Sequence, residues 1–183
     1  MNRAVLFDLQ GTLGGDGLGN ILDFTFYSFS IPAIRLINSA GLLAMAITNQ
    51  SQIAKGVFSF DQYLDRVHSL QAELISHQVH LDAFYCCPHG KADGCNCCKP
   101  LPGLVLQAQK DFDLDLPNST IVGDAGAWDM LLAQAAGCHS ALVRTGLGES
   151  SLGAYRFTWA GYQPDFIAAD VLEAARWISG MAN

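Results

Sequence analysis

The stretch "AVLFDLQGTL" (residues 4–13) decides the fold. Four apolar residues run without a polar break, as they do in a strand buried on both faces. The run delivers a carboxylate, Asp8, into a Gly11-Thr12 turn. Working outward, similar runs recur at 42–48, 83–86, 120–124, 140–145 and 165–169. Between them lie helical periodicities at 31–40, 60–78, 104–112, 128–136 and 171–178. This alternation predicts an α/β architecture, a Rossmann-like parallel sheet with helices on both faces.

With 183 residues and half of them apolar, the chain is long enough for one well-buried core and short for two. A single domain over 1–183 is expected. Ten Lys+Arg against seventeen Asp+Glu leave a formal charge of -7. A surface of that sign repels nucleic acid and anionic lipid. Arg3 runs at once into the first strand, which leaves no room for a signal peptide, and no apolar stretch reaches the roughly 18 residues of a membrane span. A cytosolic protein with neither nucleic-acid nor membrane partner, and a monomer, is expected.

In a reducing compartment cysteines serve as metal ligands, core residues or reactive thiols. Five of the six fall in "YCCPHGKADGCNCCKP" (85–100). Cys87-Pro-His89 and Cys95-Asn-Cys97 are a C-x-H pair and a C-x-C pair joined by a short loop. Four such ligands match tetrahedral Zn²⁺, with bonds of about 2.3 Å to sulfur and about 2.1 Å to nitrogen. The four fill every position, so this zinc is expected to be structural. Cys86 and Cys98 flank the set as competing ligands, a disulfide or a Cys-rich turn is the alternative, and Cys138 reads as a core thiol. His68, His77, His80 and His139 lack such company and read as surface or core residues.

Ligands of parallel sheets bind beyond the carboxyl ends of the strands. Three runs end there in polar residues: Asp8, "TNQS" (48–51) and "GD" (123–124). Two carboxylates with Thr48 and Asn49 between them suit a hard divalent cation and a phosphoryl group. Taken singly, each cluster also reads as turn or cap residues.

Asp8-x-x-Gly11-Thr12, Thr48-Asn49-Gln50-Ser51, Lys99-Pro100 and Gly123-Asp124 with Asp129 resemble the four ordered motifs of the haloacid dehalogenase superfamily. "TNQS", the C-x-H and C-x-C pairs and Cys97-Cys98-Lys99-Pro100 are similar to its zinc-containing D-glycero-D-manno-heptose 1,7-bisphosphate phosphatases and their histidinol phosphatase relatives. The resemblance covers nearly the whole chain. It implies a Mg²⁺-dependent phosphomonoester hydrolase whose nucleophile, Asp8, carries an aspartyl-phosphate. It implies that Thr48 and Asn49 hold phosphoryl oxygens and that Lys99 neutralises Asp8 and the transferring group. Asp8, Asp124 and the backbone carbonyl of Gln10 would hold Mg²⁺, with Asp129 orienting its waters. The short interval between the first two motifs leaves no room for a cap domain, so a capless member is expected, while the resemblance implies a zinc-binding loop and a phosphorylated small molecule as substrate, a heptose bisphosphate before histidinol phosphate.

Four departures mark this chain. Gln10 stands where the relatives carry a second Asp as general acid and base. Cys98 stands where they usually carry a substrate-binding Arg. The zinc loop is shorter, and Asp129 lies one residue further from Asp124 than in the heptose bisphosphate phosphatases, although the wider superfamily has both spacings. The first departure opens a competing expectation, a phosphoester-binding protein with little turnover, because an amide exchanges no proton at physiological pH.

Overall fold

The computed structural model describes residues 1–182. Its six strands are β1 (Ala4–Phe7), β2 (Leu43–Asn49), β3 (Ala83–Cys87), β4 (Thr120–Gly123), β5 (His139–Val143) and β6 (Phe166–Ala168). All pair in parallel, in the order β3-β2-β1-β4-β5-β6. The register sets Ala4 beside Leu43 and Val5 beside Thr120. Every strand foreseen in the sequence is present, with ends that differ by at most two residues.

The apolar runs are continuous because the sheet is covered on both sides. Val5 and Phe7 face one layer, formed by α1 (Ser30–Ser39), α3 (Phe60–Ser76) and α7 (Val171–Ala182). Ala4 and Leu6 face the other, formed by α4 (Gly103–Phe112) and α5 (Leu131–Ala136). Alternate side chains of one strand thus belong to two cores, as the period of two requires. Local signals set the helix ends. Ser59 Oγ accepts from the Gln62 amide at 3.1 Å while Gln62 Oε1 accepts from the Ser59 amide at 2.8 Å, a reciprocal cap that starts α3.

Two short helices, α2 (Ser51–Ala54) and α6 (Gly148–Leu152), have too few residues to show a periodicity in the sequence. The helix expected at 128–136 divides into a π-helical turn, Gly126–Met130, followed by α5. Strand order reverses at β1, which has β2 on one side and β4 on the other. Only a loop and α1 separate β1 from β2, so no cap is inserted there. Among the described residues, no helix is long and apolar enough to cross a membrane.

Candidate active site

The carboxyl ends of β1, β2 and β4 meet at this switch point, where ligands of open parallel sheets bind. Asp8 follows β1, Thr48 and Asn49 close β2, and Asp124 follows β4. Lys99 arrives from the cysteine-rich loop. Its Nζ lies 2.6 Å from Asp8 Oδ1 and 2.7 Å from Asp129 Oδ1, and donates to the Ile47 carbonyl at 3.2 Å. Asp8, Thr48, Lys99, Asp124 and Asp129 are all buried. One ammonium therefore stands against three carboxylates whose oxygens gather within 4.8 Å of one another.

Charge and burial shape this cluster. Burial pushes the Asp8 carboxyl up to about 6, against the pull of Lys99. Burial also raises Asp124, to about 8, helped by the negative charges of Asp8 and Asp129. Burial alone would lower the Lys99 pKa, but the carboxylates of Asp129 and Asp8 together outweigh it and hold the ammonium above the ordinary lysine range. The cluster has two positive charges too few for three ionised carboxylates, which is the condition a divalent cation relieves.

The oxygens differ in what they have left to offer. Asp129 accepts from Lys99 through Oδ1 and from the Ala125 amide through Oδ2, at 3.0 Å, so both are occupied. Asp124 Oδ2 accepts from the Leu147 amide at 2.7 Å. No described residue donates to Asp124 Oδ1, which leaves it for a cation. Close backbone approach makes this packing: a Cβ on Gly11, whose φ is +86°, would fall 2.1 Å from Asp124 Oδ2.

Gln10 lies beside the cluster with both ends of its amide engaged. Its Nε2 donates to the Gly19 carbonyl at 2.6 Å, and its Oε1 accepts from Gln50 Nε2 at 2.6 Å. Gln50 Nε2 also donates to Thr48 Oγ1 at 2.8 Å, and Gln52 Nε2 reaches the same Gly19 carbonyl at 3.2 Å. Asn49 bonds back to Lys99, Nδ2 donating to its carbonyl at 3.2 Å and Oδ1 accepting from its amide at 3.0 Å. Asn49 thus fastens the loop that carries the lysine.

The second cluster forms where the C-x-H and C-x-C pairs face each other. Cys87 Sγ lies 3.7 Å from His89 Nδ1, 3.7 Å from Cys95 Sγ and 3.1 Å from Cys97 Sγ, and His89 Nδ1 lies 3.1 Å from Cys97 Sγ. Tetrahedral bonds of the usual Zn²⁺ lengths separate such ligands by about 3.5 to 3.8 Å, so the four atoms can close on one ion. All six cysteines are free thiols. Cys86 and Cys98 stand outside the set. Alternation along β3 turns Cys86 into the opposite core layer from Cys87, and Cys98 lines a groove beside Lys99. Cys138 is buried, as expected of a core thiol. His68, His77, His80 and His139 belong to neither cluster.

A small cavity of about 50 Å³ over Asp8 opens beside a groove of about 780 Å³. The cavity is lined by Asp8, Thr48, Asn49, Lys99, Asp124 and Asp129. The groove runs past Gln10, Gln50, Lys55, Lys91 and Cys98, and Trp128 borders both spaces. Gln50, Gln52, Gly19, Leu147 and Trp128 had no role in the sequence reading. Gln50 lies inside the quoted "TNQS", but backbone partners such as Gly19 and Leu147 leave no side-chain signature.

Residues 96–174 match the HAD-hydrolase-like family model. The D-glycero-beta-D-manno-heptose-1,7-bisphosphate 7-phosphatase of Pasteurella multocida is 39% identical over 155 residues, covering 80% of this chain and 84% of the relative. The chain belongs to the haloacid dehalogenase-like hydrolases. Within that family, the D-glycero-D-manno-heptose-1,7-bisphosphate 7-phosphatase of Thermosynechococcus vestitus is 35% identical and covers 96% of this chain and 94% of its own. Among solved structures, a D,D-heptose 1,7-bisphosphate phosphatase from B. bronchiseptica, complexed with magnesium and phosphate, superposes with a TM-score of 0.87 at 29% identity, over 99% of both chains. The haloacid dehalogenase fold expected from the motifs is therefore the fold observed.

Proposed function

We propose that this chain is a Mg²⁺-dependent phosphatase that cleaves a sugar bisphosphate, a heptose 1,7-bisphosphate in the first instance, through an aspartyl-phosphate on Asp8. The observation that carries the proposal is the buried Lys99 ammonium held between Asp8 and Asp129 at the floor of the small cavity. Positive charge at that point neutralises both the nucleophile and the incoming phosphoryl group. In phosphoryl transfer, positioning and charge supply most of the rate. The hard oxygens of Asp8 and Asp124 fit Mg²⁺, with the residue-10 carbonyl as a third ligand and Asp129 ordering its waters. Bound there, Mg²⁺ would draw electron density from the phosphoryl oxygens.

Each residue then has a defined task. Asp8 attacks phosphorus and takes the phosphoryl group. Thr48 and Asn49 hold its oxygens, and Lys99 keeps charge from building up on Asp8. A relative of this size, matched over most of its length, acts on a heptose bisphosphate. A bisphosphate needs a second cationic contact, and the usual Arg is replaced by Cys98. Lys55 and Lys91 line the groove, and neither is ion-paired with another described residue. The Cys87, His89, Cys95 and Cys97 cluster would hold a structural Zn²⁺ that shapes the loop delivering Lys99.

A second reading has its own support. The Gln10 amide, held by Gln50 and Gly19, has no proton to exchange, so both the departure of the alcohol and the attack of water lack an acid/base. This favours a site that binds and is slowly phosphorylated. A panel of sugar phosphates assayed with Mg²⁺, beside acid-quenched detection of phosphoenzyme in wild type and Asp8→Asn, separates the two. Hydrolysis lost in Asp8→Asn supports the phosphatase; binding without hydrolysis supports the second reading; hydrolysis retained in Asp8→Asn ends both.

A further inference from the structure

Trp128 is a large apolar side chain left 43% exposed, and it borders both the cavity over Asp8 and the groove beyond it. That junction is where the carbon bearing the phosphate must lie. The backbone explains how a tryptophan comes to stand there. Gly126–Met130 is a π-helical turn, closed by the Leu131 amide donating to the Gly126 carbonyl five residues back. A π turn contains one residue more than an α turn, and such turns gather at functional sites. Asp129 still reaches inward to Lys99 and to the Ala125 amide. The residue before it, Trp128, is turned outward over the mouth.

The turn is pinned from beneath. A Cβ on Gly126 would fall 2.1 Å from Trp159 Cε2, so the backbone lies flat on a buried indole. The Gly126 amide donates to Ser151 Oγ at 3.1 Å, and Ser151 Oγ donates to the Asp124 carbonyl at 3.0 Å. Trp159 Nε1 donates to the Ser151 carbonyl at 3.0 Å, with the Arg156 guanidinium 3.9 Å over the indole. Single exposed apolar residues are common and mean little. One carried on a fixed turn where the cavity over Asp8 meets the groove is placed to touch substrate.

Resting on the phosphatase reading, we propose that Trp128 is a specificity-determining residue, the face against which the leaving group packs. It would favour phosphate esters whose alcohol is a ring with an apolar face, such as a pyranose, over open-chain polyol phosphates. An indole offers a rigid flat surface at little conformational cost, and contact with one side of a ring covers it where a flexible chain would not.

The test compares a hexopyranose 6-phosphate with glycerol phosphate, both with Mg²⁺, in wild type, Trp128→Ala and Trp128→Phe. The ratio of kcat/KM between ring and open-chain substrate should fall roughly tenfold in Trp128→Ala and largely recover in Trp128→Phe. An unchanged ratio, whether both rates drop together or neither moves, overturns the proposal. Should wild type hydrolyse neither ester, Trp128 is judged by binding, and the phosphatase reading fails separately only if a heptose 1,7-bisphosphate is not hydrolysed either. Titrating the hexopyranose phosphate should then quench intrinsic fluorescence in wild type and not in Trp128→Phe. Equal quenching in the two, or none in either, counts against Trp128.

Discussion

Gln50 donates its side-chain amide to Gln10 Oε1 at 2.6 Å, which leaves Gln10 Nε2 facing the Gly19 carbonyl at the same distance. The pair fixes which end of the Gln10 amide points where. A carboxylate at position 10 could accept from Gln50, but it would confront the Gly19 carbonyl unless protonated. Protonated is the form a general acid needs.

Gln10→Asp is therefore expected to raise kcat by roughly 10²-fold for ordinary sugar alkoxide leaving groups. The gain should be smaller for an acyl phosphate, whose leaving group needs little protonation. The same change shortens the side chain by one methylene, which weakens its hold on the Gly19 carbonyl and should speed amide exchange in residues 14–20. Steady-state rates on both substrate types, with hydrogen exchange on the metal-bound protein, check it. Equal kcat for wild type and variant would mean another group transfers the proton.

Lys99→Met is expected to abolish turnover and also to destabilise the fold. The sequence alone suggests a mainly catalytic lysine with less effect on the fold. Its Nζ is buried between Asp8 and Asp129, so removing it leaves two buried carboxylates without a cation. Breaking a buried pair in this way costs about 3–5 kcal/mol. Urea unfolding without Mg²⁺ measures the loss. Added Mg²⁺ should restore part of the stability and none of the activity.

How far the sequence reveals this site depends on which atoms make it. Asp8, Thr48 and Asp124 could be read because strand-end polar residues interrupt long apolar runs, and a parallel sheet sends all such ends to one edge. The convergence of Cys87, His89, Cys95 and Cys97 could be read from spacing, because a C-x-H and a C-x-C pair joined by a short loop can fold face to face. Choosing between Cys86 and Cys87 needed the strand, since only alternation along β3 decides which thiol faces the loop. The Gly19 and Leu147 contacts are made by backbone atoms, which every residue carries. The π turn escaped because its apolar spacing matches that of the helix it leads into, while the Trp159 indole packed against Gly126 comes from 33 positions later in the sequence.

Purified protein is expected to contain about one Zn²⁺ per chain, and Cys87→Ser to lose most of it. Cys86→Ser and Cys98→Ser should retain it, because neither thiol belongs to the set. Loss of zinc should also lower turnover, since the loop that it closes carries Lys99 and is tied to Asn49. Elemental analysis of each variant provides the check, and zinc retained at full stoichiometry in Cys87→Ser would rule this ligand set out.

The last expectation concerns pH. Asp124 is raised to about 8 and Asp8 to about 6 in the folded protein, both above the ordinary carboxylate value of 3.8. A raised folded pKa means that the folded state binds protons more tightly than the unfolded state. The associated stability is fully present below about pH 4 and is lost as pH rises through 6 and then 8. Protein without Mg²⁺ should therefore have a melting temperature that falls between pH 5 and pH 8.5, over and above any general charge effect. Mg²⁺ competes with the same protons, so its apparent affinity should rise with pH across this interval, by at most about tenfold per unit for each proton displaced. The stabilisation it brings should be largest at the alkaline end. Calorimetric titration at pH 6 and pH 8 in buffers of different ionisation enthalpy measures the protons released. Mg²⁺ affinity independent of pH, with no proton release, would show either that Asp124 is already ionised or that the cation binds elsewhere.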